Sequence, residues 1–311
     1  MIEIRCVNDK SEAERLWRAL SPQKTIFDDW DFRYCFYEQE PHPWRFYVAW
    51  EKKDDGSEEA VGLMPLQFNA DWGGLEFMAE DPCEENRIFF RPGYDQVVRL
   101  FYEHLKQGSE PAKFYDISGE DEFTKSLPIE DYKYVLPLAG LKDFNDFLAR
   151  RLSAKRRRSL LKELAAVENN KLEVSINSFS ADGAGDFMSD LERLFELNTA
   201  NFVGESYLKK ETERAAWRGL IKLPFAWRLA IVKVDEIKQA VSLSVLYKGE
   251  WHYLITGVNF KDFVGLGKYL VKVNIEAALA EKAEVFDAGL GDCGWKNLWH
   301  FDRLPQYEFI K

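Results

Sequence analysis

Apolar and polar positions along this chain recur with two periods, and together they divide most of it into short elements. Residues 251–257 alternate apolar with polar, the period of a half-buried strand, and give way to a loop carrying Gly265 and Gly267. Leu266, Leu270, Val273, Ala277, Leu279 and Ala280 then recur near helical spacing, which predicts an amphipathic helix over 267–281. A second apolar run, 285–289, leads through a glycine-rich turn over 289–294 to Trp295 and Lys296.

The rest of the chain has the same rhythm. Stretches 9–20 and 28–39 predict helices, each with an aspartate near its start. Runs at 45–51, 61–68 and 75–79 predict an antiparallel meander, with Asp54-Asp55-Gly56-Ser57 as a hairpin turn and Pro65 marking a bulge or an edge in the middle strand. A helix at 95–107 and strands at 113–118 and 132–138 follow. The back half predicts helices at 144–152 and 154–168, the second capped by Ser153, a strand at 172–176, helices at 182–201 and 209–222, and a meander over 227–234, 239–247 and 251–257. Two helices, a meander, one helix and a strand thus occur twice. The fold class expected is α+β, as two tandem copies of one unit, residues 1–138 and 139–311, each a mostly antiparallel twisted sheet with helices on both faces.

Composition supports two packed cores rather than disorder: 311 residues suit two domains, and 10 Trp with 23 Phe supply ample apolar bulk. The net charge of −11 is uneven. Residues 1–150 hold 18 Lys+Arg and 31 Asp+Glu, a net −13, and the remaining 24 and 22 give +2. An acidic front half excludes general nucleic-acid binding and assigns any anion site to the back half. Cys6, Cys35, Cys83 and Cys293 lack the spacing of a metal site, so no metal is expected. The first residues form no apolar signal region and no window reaches the length of a membrane span, so a reducing cytoplasm is expected.

Three features carry chemistry. Gly265 and Gly267 precede a helix whose first-turn N–H groups and dipole suit a phosphate. Arg150, Arg151, Lys155, Arg156, Arg157 and Arg158 gather around another helix start, where cations oppose the dipole. They either pair with the acidic front half or contact a phosphorylated ligand through Lys155, Arg156 and Arg158. His252 and His300 flank aromatic residues and read as packed histidines rather than bases.

Strand, glycine loop, helix, strand and a lysine-bearing turn are the order of Gcn5-related N-acyltransferases. Phe286-Asp287-Ala288-Gly289, Gly291-Asp292 and Trp295-Lys296 resemble the ending of the BioF2-like acetyltransferase domain, a relative of the FemA/FemB/FemX aminoacyl transferases. Ser153, Lys155 and Arg157 also look like that family's pattern. The resemblance implies two GNAT-like units, the first without a donor site, since its Arg91-Pro92-Gly93-Tyr94 is a poor cradle. It implies amide formation on a small-molecule or peptide-like amine, with Lys296, Asp292, Trp295 and Asp287 at the reaction centre and Gly257, Val258, Gly265, Gly267 and Lys268 on the donor. That donor is acyl-CoA, acetyl-CoA included, or the acceptor end of an aminoacyl-tRNA. Asp262, where the broader family has Gln or Arg, weakens the case for CoA. The rival expectation is a non-catalytic binding module, against which an intact Lys296 and glycine loop count.

Overall fold

A computed structural model describes residues 2–80, 82–201, 206–292 and 294–311; Cys293 lies outside the described residues. The chain divides into two compact units, Met1–Tyr132 with Leu304–Lys311, and Lys133–Arg303. Both are α+β units. The division differs from 1–138 and 139–311 at both places: the boundary between residues 132 and 133 falls inside a strand, and residues 304–311, part of a strand absent from the sequence expectation, belong with the first unit.

In chain order the first unit holds β1 (Ile2–Val7), α1 (Lys10–Leu20), α2 (Trp30–Tyr37), β2 (Trp44–Lys52), β3 (Glu58–Asn69), β4 (Gly74–Phe77), β5 (Phe89–Phe90), α3 (Gln96–Gln107) and β6 (Lys113–Ser118). Strands β1 to β4 pair in sequence order, all antiparallel, and β5 pairs with β3. The pleat sends alternate residues to opposite faces. Phe46 meets Trp17 of α1, and the next residue, Tyr47, meets His104 of α3. Helices therefore cover both faces. Asp9 and Asp29 cap α1 and α2 by accepting first-turn N–H groups.

Pro65 is neither at an edge nor in a bulge. It sits in central β3, between the residues that pair with β5 (Gly62, Leu63) and those that pair with β4 (Leu66 to Asn69), so its missing N–H falls where the neighbouring strands change over.

After β7 (Ile129–Pro137), the second unit runs through α4 (Phe144–Arg151), α5 (Ala154–Glu168), β8 (Leu172–Phe179), α6 (Met188–Asn201), α7 (Glu211–Leu220), β9 (Ala226–Val234), β10 (Ile237–Tyr247), β11 (Glu250–Val258), α8 (Leu266–Ala280) and β12 (Val285–Leu290). The order β7-β12-β11-β10-β9-β8 is antiparallel throughout except for β11 with β12. The missed strand is β13 (Asp302–Ile310), which pairs with β6 and gives Tyr307 and Phe309 to the first unit's core beside Phe101, Tyr102 and Phe114. No described helix is long and apolar enough to cross a membrane.

Candidate functional site

The β11–α8–β12 crossover places two strands parallel, as such a connection must. Their pairing is brief: Glu250 lies opposite Val285, Trp251 opposite Phe286 and His252 opposite Asp287. Two features then turn the strands apart. Opposite β10, the register jumps from Leu243 with Ile255 to Ser244 with Tyr253, so Leu254 is an extra residue and β11 bends there. On its other side β12 pairs with β7, itself irregular between Asp287 and Leu290. The strands form a fork whose apex is the His252 and Asp287 pair.

The apex is charged and dry. Asp287 and His252 are 2% and 1% exposed, and Lys133 of β7 is 4% exposed. Asp287 Oδ2 lies 2.8 Å from Lys133 Nζ and 3.0 Å from His252 Nδ1, and Oδ1 accepts the Gly289 N–H at 2.9 Å. Burial opposes ionisation of Asp287, but the Lys133 charge and the His252 hydrogen bond outweigh it and hold the carboxyl well below the usual carboxylate range. His252 Nε2 is 3.5 Å from Glu250. Glu250, His252 and Asp287 have ligand atoms close enough together to share a metal ion, yet the Lys133 ammonium already supplies a cation to Asp287. With both oxygens engaged, Asp287 ties β7, β11 and β12 together rather than facing a ligand.

Past β12 the chain turns sharply, with Gly289, Gly291 and Gly294 at positive φ. Asp292 organises the turn: its Oδ1 accepts from the Gly294 and Lys296 N–H groups at 2.9 and 3.0 Å, and Asn297 donates to its Oδ2. The turn delivers Lys296 into the protein, 5% exposed. Its Nζ donates to the Gly289 and Leu290 carbonyls and lies 5.3 Å from the Tyr134 ring centre and 5.7 Å from that of Trp295. Trp295 stands edge-on to Tyr253 and Phe301. Lys296 is thus no surface lysine.

At the start of α8, Gly265 has φ +90° and no side chain caps the helix. A side chain at Gly267 would strike the Phe260 ring, 2.6 Å from its Cβ position; that ring, half exposed, rests on the first turn. Lys268 is ion-paired with Glu163 of α5. Gly257 answers to packing: a Cβ there would lie 2.4 Å from Leu194 O and 2.7 Å from Leu197 Cβ, so it lets α6 lie on β11. The Val258 carbonyl accepts from Asn201 of the same helix.

Lys155 and Arg158 project from α5 into solvent. Arg156 is half-buried: its Nε reaches the Leu298 carbonyl at 3.4 Å, its Nη2 is buried without a hydrogen-bond partner, and its charge helps to depress the Glu163 carboxyl after the larger effect of Lys268. One arginine therefore reaches the backbone just past Lys296 and acts through its charge on Glu163, the partner of Lys268. Arg150 and Arg151 instead pair with Asp146 and Asp302.

The structure brings Arg156, Lys268 and the glycine loop together, and Asp287, Asp292, Trp295 and Lys296 together beside them. Sequence reasoning missed Lys133, Tyr134, Glu163 and Phe260 and set His252 aside. The one signal available was a lysine inside the apolar run 132–138, where a charge has to find a partner.

Residues 154–297 match the family described as acetyltransferase (GNAT) domain. No curated protein matches the chain. Among solved structures the chain is similar to FemX (11% identity, covering 99% of this chain and 96% of that one, TM-score 0.59) and to L-PGS from Bacillus licheniformis (12%, 98% and 92%, 0.59). A conserved protein of unknown function from Bacteroides thetaiotaomicron is similar to the same degree (11%, 99% and 99%, 0.59). At these identities the likeness is one of fold.

Proposed function

Residues 154–297 are an acetyltransferase (GNAT) domain within a chain that shares the fold of FemX, and from that premise we propose an N-acyltransferase that joins an acyl or aminoacyl group to the amine of a small or peptide-like acceptor. The observation that carries this reading is the fork: β11 and β12 part beyond His252 and Asp287, and the buried Lys296 is moored where β12 ends. Diverging strands leave room for an extended donor arm to run between them. The donor's phosphate would rest on the start of α8, next to Arg156.

The neutral acceptor amine attacks the donor carbonyl, a C–N bond forms, and the carbonyl oxygen takes up negative charge. The intermediate collapses by breaking the C–S bond of a thioester or the C–O bond of an ester; the nitrogen loses one proton and the leaving group gains one. Lys296, a cation in a dry setting, stabilises the oxyanion. Asp292 sets the turn that aims Lys296, and Trp295 walls the reacting carbon. Asp287 stays ionised and fixes the fork through Lys133 and His252, a positioning role.

Two observations favour an aminoacyl-tRNA end over acyl-CoA. The acidic Asp262 and Glu163 flank the helix start, and the Phe260 ring lies on Gly267, which suits a single phosphodiester better than a diphosphate. Either donor belongs in the cytoplasm. Calorimetric titration of the whole chain with acetyl-CoA, longer acyl-CoAs and an aminoacyl-tRNA analogue tests the reading. We expect saturable binding of one class that weakens in Arg156→Glu; binding of none overturns it.

A further inference from the structure

We propose that β8 is the seam of a two-fold dimer, pairing edge to edge with β8 of a second copy of this chain. Strand β8 ends the sheet order of the second unit, and its eight residues pair with β9 without interruption, from Leu172 opposite Val234 to Phe179 opposite Trp227. Its other edge has no strand partner among the described residues. Natural edge strands are protected by proline, bulges, shortness or charge. Strand β1, the edge of the first unit's sheet, carries Glu3 and Arg5 for that purpose. Strand β8 has no proline and no bulge, and its one charge, Glu173, faces Lys233 on β9.

Apolar residues on β8 are bare where their neighbours are covered. Val174 and Ile176 are 42% and 38% exposed, whereas Val232 and Ala230, opposite them on β9, are 0% and 1% exposed. The core that covers β9 stops one strand short of the edge.

The strand's own pattern selects the occupant. Antiparallel self-pairing centred on Ser175 sets Val174 against Ile176 of the second copy, Ile176 against its Val174, Glu173 against Asn177 and Leu172 against Ser178. The four aliphatic side chains then share one face in directly opposed pairs, the arrangement that stabilises a sheet, and no like charges meet. A shift of the pairing sum by one residue would put these side chains on opposite faces; centring on Val174 shortens the ladder, and centring on Ile176 keeps its length but sets Val174 against Ser178 instead of an aliphatic partner. Self-complementarity about a two-fold axis is what an isologous dimer needs. The seam spans roughly 24 Å at about 3.4 Å per residue. It is narrower than a standard interface, so the dimer should dissociate in about the 1–100 μM range.

Sedimentation velocity on the whole chain, from about 1 to 300 μM, tests this range. The wild type should shift from monomer to dimer, and Ile176→Lys and Val174→Glu, both at exposed positions, should remain monomers with unchanged circular dichroism. Ile237→Lys, also exposed but at the start of β10, should still dimerise. Hydrogen exchange should slow with concentration at β8 amides. A wild type that stays monomeric, including one whose β8 binds only a peptide of another protein, overturns the proposal. So does a dimer that survives both β8 substitutions.

Discussion

Lys296 Nζ donates to the Gly289 carbonyl at 3.0 Å, which moors the ammonium two residues beyond Asp287, itself bonded to the Gly289 N–H. One peptide unit's neighbourhood thus joins the charged apex of the fork to the lysine offered as the oxyanion's partner. The sequence alone suggests that Lys296→Met would remove a charge and little else; the structure predicts more. Turnover should fall by about 100-fold or more. Unfolding free energy should also drop, by about 1–3 kcal/mol for each buried carbonyl left without a donor. Steady-state rates and urea midpoints check both, and full turnover in this variant would remove Lys296 from the reaction centre.

Asp287→Asn should destabilise strongly, because it removes the carboxylate charge that the buried Lys133 ammonium faces at 2.8 Å, a loss of about 3–5 kcal/mol. The pH dependence has a definite sign. A carboxyl whose folded pKa is depressed contributes stability that is complete above its unfolded value of about 3.9 and is lost as pH falls through the folded value. Urea midpoints of the two proteins should therefore converge below about pH 3.9. A gap that stays constant down to pH 2 contradicts the assignment.

Gly257→Ala should be costly without touching chemistry. The added methyl would lie 2.4 Å from the Leu194 carbonyl, so α6 must move, at about 1–3 kcal/mol. Thermal melting should shift down while kcat stays within about twofold, since a structural residue away from reacting atoms alters rate only through position. A large drop in kcat at unchanged stability would make Gly257 part of the donor site.

Arg156 and Arg158 should behave differently despite lying two residues apart. Arg158 is exposed, whereas Arg156 holds a buried, unpartnered Nη2 beside the Lys268–Glu163 pair. Arg156→Glu should weaken donor binding and flatten its salt dependence, and Arg158→Glu should change affinity only modestly, because exposed charges are screened. Equal effects in titrations at low and high salt would dissolve the distinction.

The local part of the site was legible in the sequence. The strand, glycine loop, helix and strand around α8 follow one another along the chain, so their order is written in hydrophobic period alone. Lys133 and Tyr134 were not legible, since they reach Asp287 and Lys296 only because β7 pairs with β12, about 150 residues later in sequence. Strand β13 escaped for another reason: Arg303 and Pro305 stand on the face that Tyr307 and Phe309 continue and cut its apolar pattern short, and its residues 306–310 pair with a strand far upstream. His252 shows the limit of residue-type reasoning, because a histidine beside tryptophan is ordinary until a buried carboxylate is found across the sheet.

The return of β13 to the first unit has a consequence for biosynthesis. The ribosome releases residues 133–303 before it releases Tyr307 and Phe309, which the first unit's core requires. The second unit can close as soon as its own strands emerge, while the first waits, its Phe101, Tyr102 and Phe114 incompletely covered, for residues 304–311. The unit made first is thus the one whose core is completed last. A chain truncated after residue 303 and freed from the ribosome should be protease-resistant in the later-made unit and still open to cleavage in the earlier one.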